Sequence, residues 1–230
     1  MGRSSLEHLV EQLQQAPTLF TSHPQDMHQC NPLSRIQSIA VLLSSFSFPS
    51  NAGEFPFQSP LILDIGTGYG YGAVVLHTLG YTVLGVELNK KKLEEGLHYW
   101  SKQGIDFSVS SDPASLSLRP GTLSFLYADA TSLPSSYHQR FDAATSFYVS
   151  RYMLKPSGVL FAAHQYLKSK GTLLITTEGP KHLPSWLRHA VVMFLSTTLH
   201  LPSLHLENST VVYHPFVYDR YVFLYKKTEK

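Results

Sequence analysis

The chain reads as an α/β protein with a mostly parallel β-sheet, preceded by a helical N-terminal extension. Three observations predict this. From residue 61 onward, short apolar runs alternate with longer amphipathic segments, the pattern of strands covered by helices on both faces. The first apolar run, "LILDI", runs directly into "GTGYGYG" and then a helical pattern. Before it, "SFPSNAGEFPFQSP" at 47–60 is dense in proline, serine and glycine and separates the sheet region from helices upstream. Residues 1–54 are therefore assigned to the extension and 55–230 to the main domain.

In the extension, Leu6, Leu9, Val10 and Leu13 carry the spacing of an amphipathic helix. Ser4 and Glu7 can form its capping box. After a polar segment containing His23 and His28, Asn31-Pro32 opens a second helix with Leu33, Ile36, Ile39, Ala40 and Leu43 on one face. This extension is expected to fold as a lid, with His23, His28 or Arg35 reaching the site.

In the main domain, "LILDI" is strand one, and "GAVVLHTLG" is a helix stopped by Gly80. "YTVLGVEL" is the second strand, and Asn89 caps a helix that turns Leu93, Leu97 and Trp100 inward. Residues 105–121 are weakly patterned and leave room for a short hairpin. "TLSFLYAD" and "FDAATSFYV" are strands, "GVLFAAHQYLKSKG" is a helix and "TLLITT" a further strand. The segment 184–199 is apolar around much of its circumference and reads as a buried or interface helix, a possible oligomer contact. "STVVYHP" and "YDRYVFLYKK" follow as strands whose join is short enough for an antiparallel hairpin.

Composition narrows the function classes. A formal net charge of +2, with "NKKK" at 89–92 the one basic cluster, is too mild for a broad nucleic-acid footprint. One cysteine, Cys30, excludes an internal disulfide and suits a reducing compartment. The polar start carries no secretory pattern, and no stretch is long and apolar enough to span a bilayer. A soluble, cytoplasmic protein is expected. Its twelve histidines show no metal-ligand spacing on a helix, so no metal is expected.

The glycines at 66, 68, 70 and 72 follow an apolar strand and Asp64. A strand feeding a glycine loop and then a helix gathers bare backbone N–H groups and the positive end of the helix at one place. Ligands in open α/β sheets sit there, beyond the carboxyl ends of the strands. A nicotinamide fingerprint fails from Gly66, where Tyr71 occupies the last glycine position, yet fits from Gly68 to Ala73. No Lys-Ser/Thr pair of a P-loop is present.

These residues resemble the class I S-adenosylmethionine-dependent methyltransferases. "LDIGTGYG" is similar to their motif I, and "GVEL" places Glu87 where the family's acid binds both ribose hydroxyls. "YADATSLP" resembles the third signature, in which Asp129 would face the adenine amino group and Ala130 would contribute backbone. "FDAATSFYVS" looks like motif IV, and the closing strand pair resembles strands six and seven of that fold. The resemblance covers about residues 55–228. It implies a Rossmann-like, seven-stranded, mostly parallel sheet ending in an antiparallel pair. The implied cofactor is S-adenosyl-L-methionine, and the product S-adenosyl-L-homocysteine. Implied cofactor contacts are Asp64, Gly66, Thr67, Gly68 and Gly70 from the loop, Glu87 and Leu88, Asp129 and Ala130, and Ser146. Gly66, Gly68 and Gly70 would clear space for the methionine part, with Asp64 accepting from its ammonium or a water. Gly72 would serve helix packing.

No catalytic side chain is identified. Ser146, Phe147 and Tyr148 are expected to border the acceptor pocket. Asp142 is read as a structural brace. The Asn/Asp-Pro-Pro-Tyr signature of amide and exocyclic-amine methylation is missing near "TSFYVS". A small molecule or a protein side chain is thus the expected acceptor, with RNA third. Competing readings are a nicotinamide oxidoreductase, a catalytically silent partner subunit and, behind these, an aminopropyltransferase.

Overall fold

Strand β1 (Leu61–Ile65) is apolar towards both faces of the sheet, as a central parallel strand must be. Its Ile62 enters one core, while Leu63 and Ile65 enter the other. The computed structural model describes residues 59–147, 157–178, 204–212 and 220–227. In chain order, β1 is followed by α1 (Tyr71–Thr78), β2 (Thr82–Glu87), α2 (Lys90–Lys102), β3 (Ser108–Ser110), β4 (Leu123–Tyr127) and β5 (Phe141–Phe147). Then come α3 (Ser157–Tyr166), β6 (Leu167–Glu178), β7 (Leu204–Val212) and β8 (Arg220–Lys227).

The strands form one sheet in the order β3-β4-β2-β1-β5-β6-β8-β7. The first six positions are parallel, whereas β8 runs antiparallel to both β6 and β7. Helices α1 and α2 cover one face, burying Val74, Leu76, Leu93, Leu97 and Trp100 against Ile62, Val83 and Phe125. On the other face α3 packs Leu160, Ala163 and Tyr166 against Leu63, Leu84 and Leu126. Two layers of helix around one sheet result.

Three expectations need correction. The sheet has eight strands rather than seven, because residues 105–121 supply a three-residue edge strand parallel to β4 in place of a hairpin. Its Val109 is 45% exposed, so there is little apolar alternation to betray it. The helix expected to run to Gly171 stops at Tyr166, and Leu167 already pairs with Phe141 of β5. The intervening "LKSKG" is an irregularity in β6, with Lys170 at φ 64° and the pairing resuming at Ala143 with Thr172. Lys227 of β8 closes the end of α3 by donating from Nζ to the carbonyls of His164 and Leu167, at 2.6 and 2.7 Å. A cation there complements the negative end of the helix.

The expected extension at 1–54, with Cys30, His23, His28 and Arg35, lies outside the described residues, as do Tyr148 and the 184–199 segment. No helix among the described residues is long and apolar enough to cross a membrane.

Candidate cofactor site

The chain leaves β1 in one direction to build β2, β4 and β3, then returns to the other side of β1 with β5. That reversal is a topological switch point, where α/β sheets open a crevice at their carboxyl ends. The glycine loop emerges from β1 at this place. Its start is pinned across the sheet, because the N–H groups of Gly66 and Thr67 both donate to the Val86 carbonyl, at 2.8 and 3.0 Å. Gly66, Gly68 and Gly70 all have positive φ, at 67°, 62° and 85°, a conformation in which a Cβ is strained. Backbone conformation alone therefore accounts for three of the four glycines. Gly72 is different. A Cβ there would lie 2.5 Å from Phe147 Cδ2 and 2.9 Å from Asp64 Oδ2, so close packing of α1 on the sheet requires glycine.

Asp64 is 1% exposed beneath this loop. Its Oδ2 accepts from Thr67 Oγ1 at 2.7 Å and its Oδ1 from Thr145 Oγ1 at 2.8 Å, with a further bond from the Ala73 backbone. The threonines and the first turn of α1 donate to its oxygens, and Asp64 holds the loop from below. Burial pushes its carboxyl up to about 6, against the lowering effect of the Thr67 and Thr145 hydrogen bonds, and the Glu87 charge adds to the rise.

At the carboxyl end of β2, Glu87 spans two backbone segments. Its Oε2 accepts from Gly68 N–H and its Oε1 from Asn89 N–H, both at 2.8 Å. The following Leu88 is 72% exposed, more than any other large apolar side chain among the described residues. One strand further out, beyond β4, Asp129 Oδ1 accepts from the Thr131 N–H and Oγ1, both at 2.8 Å, and caps the turn containing buried Ala130. The Ala128 N–H donates to the Glu87 carbonyl at 3.2 Å, which sets these two strand ends side by side.

The structure thus gathers the loop, Glu87–Leu88 and Asp129–Ala130 at adjacent strand ends, in the spatial order β1, β2, β4. Ser146 is set apart. It is wholly buried on the sheet face opposite to Asp64 and Thr145, and its Oγ has no hydrogen-bond partner among the described residues. Asp142 is a brace, with Oδ2 accepting from the Leu61 N–H at 2.9 Å and Oδ1 paired to Lys168 at 2.7 Å. Sequence reasoning missed Thr145. Its role follows from the register of β5 on β1, which puts it opposite Asp64.

A family described as "Methyltransferase domain" matches residues 36–209. A curated relative, the ubiquinone biosynthesis O-methyltransferase of Caulobacter sp. (strain K31), is 26% identical over 153 residues, 66% of this chain and 53% of the relative. The chain spans about half the length of that relative. Among solved structures, the PH0226 protein from Pyrococcus horikoshii OT3 superposes with a TM-score of 0.62 at 14% identity, over 91% of this chain and 97% of the other. The YcgJ protein from Bacillus subtilis gives 0.57 at 12% identity, over 84% and 99%. An rRNA methylase from Streptococcus thermophilus gives 0.50 at 14% identity, over 75% and 89%. At such identities the likeness is one of fold, and the fold by itself does not choose an acceptor.

Proposed function

The chain belongs to the methyltransferase-domain family, and from that premise we propose that it is an S-adenosylmethionine-dependent methyltransferase acting on a small molecule. The observation that carries this reading is the meeting of the positive-φ glycine loop, Glu87 and exposed Leu88 at neighbouring strand ends. Each Glu87 oxygen already accepts one N–H, and a carboxylate oxygen has capacity for a second donor. Ribose hydroxyls suit that capacity. Leu88 offers an apolar surface to an adenine, and Asp129 beyond β4 offers a carboxylate to its amino group. The antiparallel end of the sheet supports this reading over the nicotinamide one.

When bound, the cofactor supplies a methyl group on a positively charged sulfonium, which an acceptor takes by in-line displacement. The chain's own part is to bind and align. Asp64 fixes the glycine loop from beneath, the loop would hold the methionine end, and Glu87 would hold the ribose. Proximity and alignment account for much of the rate in such a site. A general base enters only for an acceptor that carries a proton to lose.

A small-molecule acceptor is argued from the curated relative, an O-methyltransferase of ubiquinone biosynthesis. Residues 1–54 are proposed as an extension ahead of the domain at 55–230. The family match begins at residue 36, which draws the extension's second predicted helix into the matched region. A cytoplasmic location is proposed on the single cysteine. The deciding experiment is a thermal-shift panel of S-adenosylmethionine, S-adenosylhomocysteine, NAD(H) and NADP(H) on the full chain. The first two are expected to raise the melting temperature and the nicotinamides to leave it unchanged. Stabilisation by the nicotinamides alone overturns the reading.

A further inference from the structure

Helix α2 lays one face along the glycine loop. Lys92, Gly96 and Trp100 recur at intervals of four residues, which places them on one side of the helix. All three meet Tyr69, the residue between Gly68 and Gly70. The buried Trp100 donates from Nε1 to the Tyr69 carbonyl at 2.7 Å. Gly96 stands where any Cβ would lie 2.2 Å from that same oxygen, so the helix can approach only as glycine. The Lys92 ammonium lies 5.2 Å from the centre of the Tyr69 ring. Its Cε and Nζ also sit over Gly68, 3.4 and 3.6 Å from where a Cβ would stand. Next along the loop, the Tyr71 ring meets Trp100 edge-on, with centroids 5.4 Å apart.

The same helix begins three residues after Glu87. Asn89 caps it by accepting from the Lys92 N–H at 3.1 Å, while its own N–H donates to Glu87. One rigid element therefore touches the acid at the end of β2 and the centre of the loop after β1. We infer that the Lys92–Gly96–Trp100 stripe is a clasp that fixes the glycine loop in register with Glu87. It makes these three residues positioning residues for cofactor binding. This rests on the reading of the site as one for S-adenosylmethionine. The chemistry is specific: an indole N–H satisfies a carbonyl exposed by the loop's irregular backbone, and a cation covers the ring that the loop turns outward. Loosening the clasp lets the loop leave the conformation that Glu87 and the ligand share, so affinity falls while the sheet stays intact.

Trp100→Phe tests this, since it keeps an aromatic ring in the core while removing the indole N–H together with part of the ring system. Two measurements on the full chain are paired: amide hydrogen exchange, and calorimetric titration with S-adenosylhomocysteine. Exchange at Gly68 and Gly70 is expected to quicken about tenfold with β1 and β2 amides unchanged, and the Kd to rise about tenfold. Lys92→Met, at a half-exposed position, is expected to move both readouts in the same direction by about threefold, and it decides the matter if Trp100→Phe does not fold. Unchanged loop exchange overturns the clasp whatever the ligand result. Faster exchange with unchanged affinity overturns its role in binding. A wild-type chain that binds no S-adenosylhomocysteine overturns the cofactor reading instead, and the exchange data still decide the clasp.

Discussion

Thr145 Oγ1 donates to Asp64 Oδ1 at 2.8 Å, joining β5 to β1 between residues 81 positions apart. With Thr67 on the other oxygen, this bond holds a carboxylate in a place almost without solvent. Burial raises the Asp64 carboxyl from 3.8 to about 6. Between those values the folded chain keeps a proton that the unfolded chain has released. Stability attributable to Asp64 therefore falls as pH rises from about 4 to about 6, and the cost persists in full above that. The gap corresponds to on the order of 3 kcal/mol. Asp64→Asn carries no such cost, so its melting temperature should rise relative to wild type between pH 4 and pH 6. A constant difference across that range would sink the assignment.

Glu87 links Gly68 to Asn89 through charge-assisted bonds at 2.8 Å. Replacing it with alanine should weaken S-adenosylhomocysteine binding by about 2 kcal/mol, read by calorimetry, with the fold retained. Asp142→Ala is the matched control. It loses the bonds to Leu61 and Lys168 at the opposite end of the strands, at a cost of about 1 kcal/mol in stability, and should leave affinity unchanged. Equal loss of affinity in both variants would place the site elsewhere.

Gly72→Ala puts a methyl group 2.5 Å from Phe147 Cδ2 and 2.9 Å from Asp64 Oδ2. The clash lies under α1, where overpacking costs about 1–3 kcal/mol. Urea titration of the variant should show that loss of stability. An unchanged midpoint would mean that Phe147 swings aside freely.

Much of the site was legible because its residues carry local signatures. Gly66, Gly68 and Gly70 announce a backbone that side chains cannot follow, and all three adopt positive φ. Asn89 was legible as a cap, and its side chain accepts from the Lys92 N–H. The expected helix through "LKSKG" failed because pairing of Leu167 with Phe141 outweighed local propensity. The edge strand at 108–110 failed because its burial pattern carries no periodicity. Trp100 was read as a core residue, and it is one, but its N–H partner is a backbone carbonyl 31 residues away.

By itself the sequence determined the alternation of strand and helix, the glycine loop, and the acid at the end of β2, since period, turn chemistry and spacing are properties of neighbouring residues. Only the tertiary structure decided which groups Asp64 meets, which atoms crowd Gly72, and that "NKKK" contributes Lys92 to the loop. Those relations depend on the register of β5 against β1 and on the rotation of α2 about its axis. Both are set by packing between residues far apart in the chain, for which no local pattern exists.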